Sequence, residues 1–369
     1  MSYYPNFFEY STKESTLDAI VMWFLECYKR GTEKKDKQME SLGRAFVEQL
    51  LFNDYKEELP DDWEIDFFEK QYRSIDVYAV LKSEKENTLY PIIIENKTNT
   101  TLHDDQFRRY CKKVAEECKD KNCKIMSFVY IKTGTLFDYE IDWVKSEFCE
   151  IQGDMMDKVN VRLQIVSLDN IIAFLKECNE YAGKISLFAD YLEYCENLRE
   201  KQIEYGNWRL KKNLLYEDAQ VQFYIDCFGK ENVSKNNINL VNSYGMSNTC
   251  YTAKVFEEKD DKEAGLFFRF EPRDGDVSFL QVQYYRSSNE FKDRCKSLRK
   301  IIEEHFENLE DDFGCKMDFK SGKNPRKDYK GAEICRFNFY KDLSKEESEA
   351  VTKFFKEFIE WCCRDLRIE

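Results

Sequence analysis

The chain has 369 residues, of which 42% are hydrophobic and 15% aromatic, so two domains with substantial cores are expected. No apolar run reaches the ~18 residues that a membrane span needs, and the amino end lacks the features of a secretory signal, so we expect a cytoplasmic protein without a membrane partner. The net charge of −14 is unusual for a nucleic-acid binder, but a local basic groove can coexist with an acidic remainder.

Cysteine and histidine offer little chemistry. The 14 cysteines form no C-x-x-C pair, so a zinc ribbon or an iron–sulfur cluster is not expected and the thiols are expected to be reduced. The 2 histidines are His103 and His305, and no zinc-protease, phosphate-loop or serine-hydrolase motif is found. Chemistry must therefore come from carboxylates and lysines.

The first predicted helix begins near residue 14 and carries an apolar stripe that faces a core. The stripe consists of Leu17, Ile20, Val21, Phe24, Leu25 and Tyr28. Glu14 falls near the arc of this stripe, so its carboxylate points toward the surface on which that face packs. Ser11 and Glu14 also have the spacing of a capping box, in which Glu14 bonds a backbone N–H. The sequence leaves both interpretations of Glu14 open.

Three strands are predicted after a second amphipathic helix, near residues 64–71, 74–82 and 89–96. Asp76 lies in the second strand. In the third, a run of three isoleucines leads into Glu95, Asn96 and Lys97. Side chains alternate along a strand, so Glu95 and Lys97 share one face, roughly 7 Å apart. If these strands pair, two carboxylates and one ammonium converge.

That convergence suits phosphodiester cleavage. Two hard oxygen ligands can hold a divalent ion that lowers the pKa of a water molecule, and a lysine beside it can orient or deprotonate that water. The alternative is that Asp76 is an ordinary exposed strand residue and that Glu95 and Lys97 form an ion pair of little consequence. Because charges at the end of a buried strand are costly unless paired or metal-bound, the functional interpretation is favoured.

A helix is predicted after the polar break that follows Lys97, and it places Gln106 and Tyr110 four residues apart on one face. Asp76, Glu95 and Lys97 have the D-x18-E-x-K arrangement, which resembles the PD-(D/E)XK nuclease superfamily, and Gln106 with Tyr110 resembles the Q-x-x-x-Y motif of its RecB-like members. The first helix is similar to that of one bacterial family of the superfamily, which supplies an extra acid from the position of Glu14.

The resemblance implies a restriction-endonuclease-like αβββαβ core with a mixed central sheet. It also implies roles: Asp76, Glu95 and the backbone carbonyl of Asn96 bind Mg²⁺, for which Mn²⁺ can substitute, and Lys97 positions the water. Further roles in the implied site are assigned to Gln106, which orients water or substrate, to Arg109 and Tyr110, which line the site, and to Glu14 as an additional metal ligand.

Residues 1–204 are assigned to this α/β nuclease-like domain, with further strands predicted near 124–130 and 162–166. Residues 205–369 are assigned to a smaller α+β domain with strands near 249–256, 265–271 and 277–285, followed by two helices. Its predicted core stripes are Phe291, Cys295, Leu298 and Ile302, and Val351, Phe354, Phe355, Phe358 and Cys362. No motif in it indicates a role.

We therefore expect a magnesium-dependent nuclease that acts on nucleic acid, DNA rather than RNA, in defence against foreign DNA or in DNA repair. One alternative is a catalytically silent module with the nuclease fold that binds nucleic acid or a protein partner. Another is an effector whose second domain senses a ligand, forms a homo-oligomer or binds a regulatory partner, and so gates the nuclease.

Overall fold

The computed structural model divides the chain into two compact units, Met1–Lys201 and Gln202–Glu369, and each is described by itself. Statements about structure below refer to residues 14–98, 106–119, 121–123, 125–155, 160–178, 180, 185–234, 237–243, 246–253, 265–273, 276–285, 291–306, 317–322, 331–339 and 341–365.

Two close-packed helices open the first unit, α1 Glu14–Lys34 and α2 Lys37–Phe46, and a π-helical turn over Val47–Leu51 extends the second. Asp36 caps α2 because its carboxylate accepts from two backbone N–H groups of the first turn, at 3.1 and 3.2 Å. The helices touch through Gly43, where an added Cβ would lie 2.3 Å from the backbone nitrogen of Tyr28.

A five-stranded mixed sheet forms the centre of the first unit, and its spatial order follows the chain. Its strands are β1 Trp63–Tyr72, β2 Ile75–Ser83, β3 Thr88–Lys97, β4 Ile125–Lys132 and β5 Asn160–Ser167. β1, β2 and β3 pair antiparallel, whereas β3, β4 and β5 pair parallel. This arrangement confirms the predicted mixed sheet of the αβββαβ core.

Helices connect the parallel strands, as parallel pairing requires. α3 Gln106–Cys118 lies between β3 and β4, and α4 Asp138–Met155 lies between β4 and β5. α5 Leu168–Glu177 and α6 Ser186–Tyr205 follow β5. The helix α4 was not predicted from the sequence; in it Val144 and Ile151 are buried, and acidic residues are interspersed with the apolar ones.

Both faces of the sheet are covered by apolar clusters. The cluster on the face of α1, α2, α5 and α6 includes Phe24, Phe46, Val77, Ile94 and Phe174. The cluster on the face of α3 and α4 includes Tyr78, Ile93, Phe107, Tyr130 and Val144. Since β3 is covered on both sides, any charged residue in it is withdrawn from water.

The second unit contains a separate six-stranded antiparallel sheet in the order β10-β11-β9-β8-β7-β6. Its strands are β6 Ile238–Ser243, β7 Met246–Ala253, β8 Gly265–Arg273, β9 Asp276–Tyr285, β10 Met317–Ser321 and β11 Gly331–Phe339. Its helices are α7 Glu217–Phe228, α8 Phe291–Phe306 and α9 Lys345–Asp365.

The second unit's core is dominated by aromatic side chains. Phe223 on α7 lies 5.3 Å, centroid to centroid, from both Phe270 and Phe355, with the rings edge to face. The described members of the two predicted helical stripes are buried, which confirms them as core; Phe291 begins α8, but its side chain lies outside the described residues. β6, β10 and β11 were not predicted.

None of the helices in the described ranges is both long and apolar enough to cross a membrane.

Candidate active site

Strand register brings the predicted acids and the lysine to one edge of the first sheet. Val77 pairs with Ile94 across the antiparallel β2–β3 ladder, so Asp76 lies beside Glu95 at the next position. Glu95 and Lys97 project from the same face of β3, toward α3. The parallel strands β3 and β4 both end at this edge, with Lys97 opposite Lys132.

Asp76 is half-buried at the start of β2, and its carboxylate is held against β3. The backbone N–H of Asn96 donates to its Oδ2 over 3.0 Å. This bond fixes one oxygen of Asp76 at the peptide that joins Glu95 to Asn96. The backbone of β3 therefore holds the Asp76 carboxylate close to Glu95.

Glu95 is fully buried, and its two carboxylate oxygens have different surroundings. Oε1 lies 2.6 Å from the Nζ of Lys97 and accepts a 2.6 Å hydrogen bond from Nε2 of Gln106. Oε2 is buried and has no hydrogen-bond partner among the described residues. An unpaired buried carboxylate oxygen is costly, so this atom is the strongest sign that the site accommodates a further group.

Burial, followed by the charge of Asp76, raises the pKa of Glu95 from 4.5 to about 7, and Lys97 offsets part of this rise. A carboxyl whose pKa is higher in the folded chain is ionised there at a cost. The destabilisation of the folded chain by ionised Glu95 is absent below pH 4.5 and complete above about pH 7. The free energy of unfolding therefore falls as the pH rises through this window.

Gln106 and Tyr110, one turn apart on α3, connect Glu95 to the β1–β2 turn. Gln106 Nε2 also donates to the Tyr110 hydroxyl over 3.0 Å, and that hydroxyl donates to the carbonyl of Ser74. Ser74 has a φ of 74°, a left-handed conformation that the surrounding bonds must hold. The chain of bonds fixes α3 against β2 and aims the Gln106 amide at Glu95.

Asn96 projects from the opposite face of β3 and is fully buried. Its Nδ2 donates to Oδ1 of Asp18 over 2.7 Å, and Oδ2 of Asp18 lies 3.3 Å from the Nζ of Lys70. The residue between Glu95 and Lys97 is therefore anchored to α1. Because both neighbours share its backbone, this anchor also fixes the positions from which they project.

Two predicted site residues are not brought to this cluster by described contacts. Arg109 is exposed on α3, and its contact with nucleic acid stays a prediction. Glu14 is the first residue of α1, but its side chain lies outside the described residues, as do Ser11 and His103. The part that the structure describes contains no group of three or more His, Cys, Asp or Glu side chains placed to hold a metal ion.

A family model described as the PD-(D/E)XK nuclease superfamily matches residues 5–204. The chain belongs to the PD-(D/E)XK nuclease superfamily. The match covers more than half of the 369 residues and includes the whole sheet that carries Asp76, Glu95 and Lys97. Comparisons with curated proteins and with solved structures gave no match.

Sequence reasoning missed two groups of residues around this superfamily site. Asp18 lies one helical turn after Glu14, next to the buried residue Leu17 of the α1 stripe, and its position next to that stripe was the available signal. The second group is the buried pair of Lys132 and Glu140, 3.2 Å apart. The sequence feature that could have indicated this pair is the strand end Ile131-Lys132-Thr133, which has a lysine followed by a threonine, as Asn96-Lys97-Thr98 has.

Proposed function

We propose that this PD-(D/E)XK protein is a metal-dependent nuclease that hydrolyses phosphodiester bonds of nucleic acid. DNA is the expected substrate, and defence against foreign DNA or DNA repair is the expected setting. The observation that carries the proposal is the Oε2 of Glu95, which is buried beside Asp76 and has no hydrogen-bond partner in the described part of the chain. A buried carboxyl whose pKa is raised by burial and by a neighbouring carboxylate is best explained by a cation that the two carboxylates share.

The donor set fits a hard divalent ion. Asp76 and Glu95 offer carboxylate oxygens, and the backbone carbonyl of Asn96 is the further ligand that we propose; these are the ligands that Mg²⁺ and Mn²⁺ prefer. Such an ion polarises a phosphate oxygen and makes a water molecule more acidic. It would also offset the charge that makes ionisation of Glu95 costly.

The chain's own residues supply the remaining requirements. The Lys97 ammonium lies 2.6 Å from Glu95, close enough to orient the attacking water and to offset charge on the phosphate as the bond breaks. Gln106 holds Oε1 of Glu95, and Oε2 is the oxygen of Glu95 that would be available to an ion. Burial of Glu95 and Lys97 strengthens the interactions between them.

The experiment is cleavage of labelled single- and double-stranded DNA and RNA with Mg²⁺, with Mn²⁺ and with a chelator. We compare the native chain with Asp76→Asn, Glu95→Gln and Lys97→Met. Both acid variants should lose cleavage and ion binding measured by calorimetry, whereas Lys97→Met should lose cleavage and keep ion binding. Lys145→Met is the matched control, because Lys145 is exposed on α4.

A native chain that neither cuts any substrate nor binds either ion would refute the proposal. Binding of an oligonucleotide without ion binding or cleavage would instead favour the silent module.

For the second unit we propose a recognition, sensing or oligomerisation role. Cleavage by the native chain that depends on protein concentration would support oligomerisation.

A further inference from the structure

A second buried acid–lysine pair lies one strand away from Glu95 and Lys97. Lys132 is the last residue of β4, and its Nζ lies 3.2 Å from Oε1 of Glu140 in the first turn of α4. The hydroxyl of Tyr130 donates to the same oxygen. Lys132 and Glu140 are 3% and 2% exposed, so the pair is as deeply buried as the candidate active site.

The register of the sheet makes the two pairs adjacent. Tyr130 pairs with Glu95, and Lys132 pairs with Lys97, across the parallel β3–β4 ladder. Paired residues in neighbouring strands project from the same face and are separated by about 4.8 Å. The edge therefore presents a row of Asp76, Glu95 and Tyr130, followed two residues later by a row of two lysines.

Stability does not explain this arrangement. Removing an ion pair from water costs several kcal/mol per ion, and apolar replacements are often equally stable. Two ammonium groups at neighbouring strand ends also repel each other. Such a pair of cations is favourable when an anion lies between them, and the anion of a nuclease substrate is the phosphodiester.

We propose that Lys132 is a second phosphate-binding cation of this site, held by Glu140 so that it contacts a non-bridging oxygen of the phosphodiester while Lys97 serves the attacking water. The inference rests on the proposed nuclease function. Lys132 forms and breaks no covalent bond; it neutralises charge on the bound phosphate, and Tyr130 helps Glu140 to hold it. Glu140 is a positioning residue because it acts through Lys132.

The test uses the full chain and the oligonucleotide that the native protein cuts fastest. The double variant Lys132→Met with Glu140→Gln removes both charges of the pair, and the introduced amide oxygen can still accept from the Tyr130 hydroxyl. It should melt close to the native temperature yet lose about 100-fold in kcat/KM, the effect of removing one preorganised charge-stabilising donor. Lys132→Arg should recover part of this loss, and Lys145→Met should lose nothing.

A second readout separates phosphate binding from a structural role. Each phosphate contact contributes about 0.7 to 0.9 to the slope of log affinity against log salt concentration. Oligonucleotide binding by the double variant, measured with a chelator present, should show a slope smaller by about that amount. Glu140→Gln alone should lose less activity than the double variant, because the lysine remains but is no longer held by a carboxylate.

Native rates and a native salt slope in the folded double variant would overturn the inference while leaving the nuclease function intact. If the native chain cuts nothing, the nuclease function fails and the salt slope alone decides on Lys132. A native chain that binds no oligonucleotide overturns both.

Discussion

Gly134, two residues beyond Lys132, offers a sharp test of the candidate site because it contacts the segment that follows Lys97. A Cβ added at Gly134 would lie 1.8 Å from the carbonyl oxygen of Thr98 and 2.8 Å from its carbonyl carbon. The obstacle is backbone, so no side-chain rotation relieves the clash. The backbone N–H of Thr133 also donates to the carbonyl of Lys97 over 3.0 Å, which couples the two strand ends.

Gly134→Ala must therefore displace the end of β3 or β4. Restoring a separation of 3.0 Å requires a movement of about 1.2 Å, the difference from 1.8 Å. A misplacement of about 1 Å can cost about 100-fold in rate, whereas overpacking of this kind costs about 1–3 kcal/mol of stability. We expect a folded protein with a lower melting temperature and about 100-fold lower kcat.

The assay is cleavage by Gly134→Ala and by Gly153→Ala, with melting followed by circular dichroism. Gly153 is the matched control: it is exposed on α4, and nothing lies within 4 Å of its added Cβ. Alanine there should keep native activity and stabilise the helix by up to about 1 kcal/mol. Equal activity in the two variants would refute the claim that the ends of β3 and β4 set the geometry of catalysis.

Three further predictions concern the described contacts. Without metal, ionisation of Glu95 should lower the free energy of unfolding by about 3 kcal/mol between pH 4.5 and about 7, so urea titrations should show the native chain losing about that much more stability than Glu95→Gln over this window; an equal change in both proteins would contradict the linkage. Asp18→Ala should lower the free energy of unfolding, measured by urea titration, by about 1–3 kcal/mol because it leaves the Asn96 amide unpaired. Asp142→Ala, at an exposed position, should leave it almost unchanged, and equal losses in the two variants would show that Asp18 does not anchor Asn96. Tyr110→Phe should lower kcat and stability more than Tyr72→Phe, whose hydroxyl makes 3.3 and 3.4 Å bonds at a half-buried position; the reverse order would exclude the Gln106 connection.

Local periodicity predicted much of the first sheet. The runs around Asp76 and Glu95 have the alternation of strands, and the observed strands Ile75–Ser83 and Thr88–Lys97 match the predicted ones to within a residue or so at their ends. Gln106 and Tyr110 could be paired in advance because a helix fixes the relation of residues four apart. These five positions, Asp76, Glu95, Lys97, Gln106 and Tyr110, are the ones that the structure brings together or connects by hydrogen bonds.

Residues whose position depends on non-local packing could not be predicted. Asp18 reaches Asn96 because of the way α1 packs on the sheet, and Glu140 reaches Lys132 because of the way α4 begins after β4. No periodicity in either helix specifies that packing. In the second unit, β6, β10 and β11 were missed. For β11 the pattern was present, because Cys335-Arg336-Phe337-Asn338-Phe339 alternates apolar and polar residues.

We propose that Asp76 and Glu95 share a divalent ion that enables cleavage by the native chain. The most direct test is to remove metal with a chelator, add back Mg²⁺ or Mn²⁺ in steps, and follow ion binding and cleavage of labelled DNA in the same samples. Ion binding and cleavage should rise together in the native chain, and both should be lost in Glu95→Gln. Cleavage that persists in the chelator, or that survives in Glu95→Gln at the native ion concentration, would contradict the proposal.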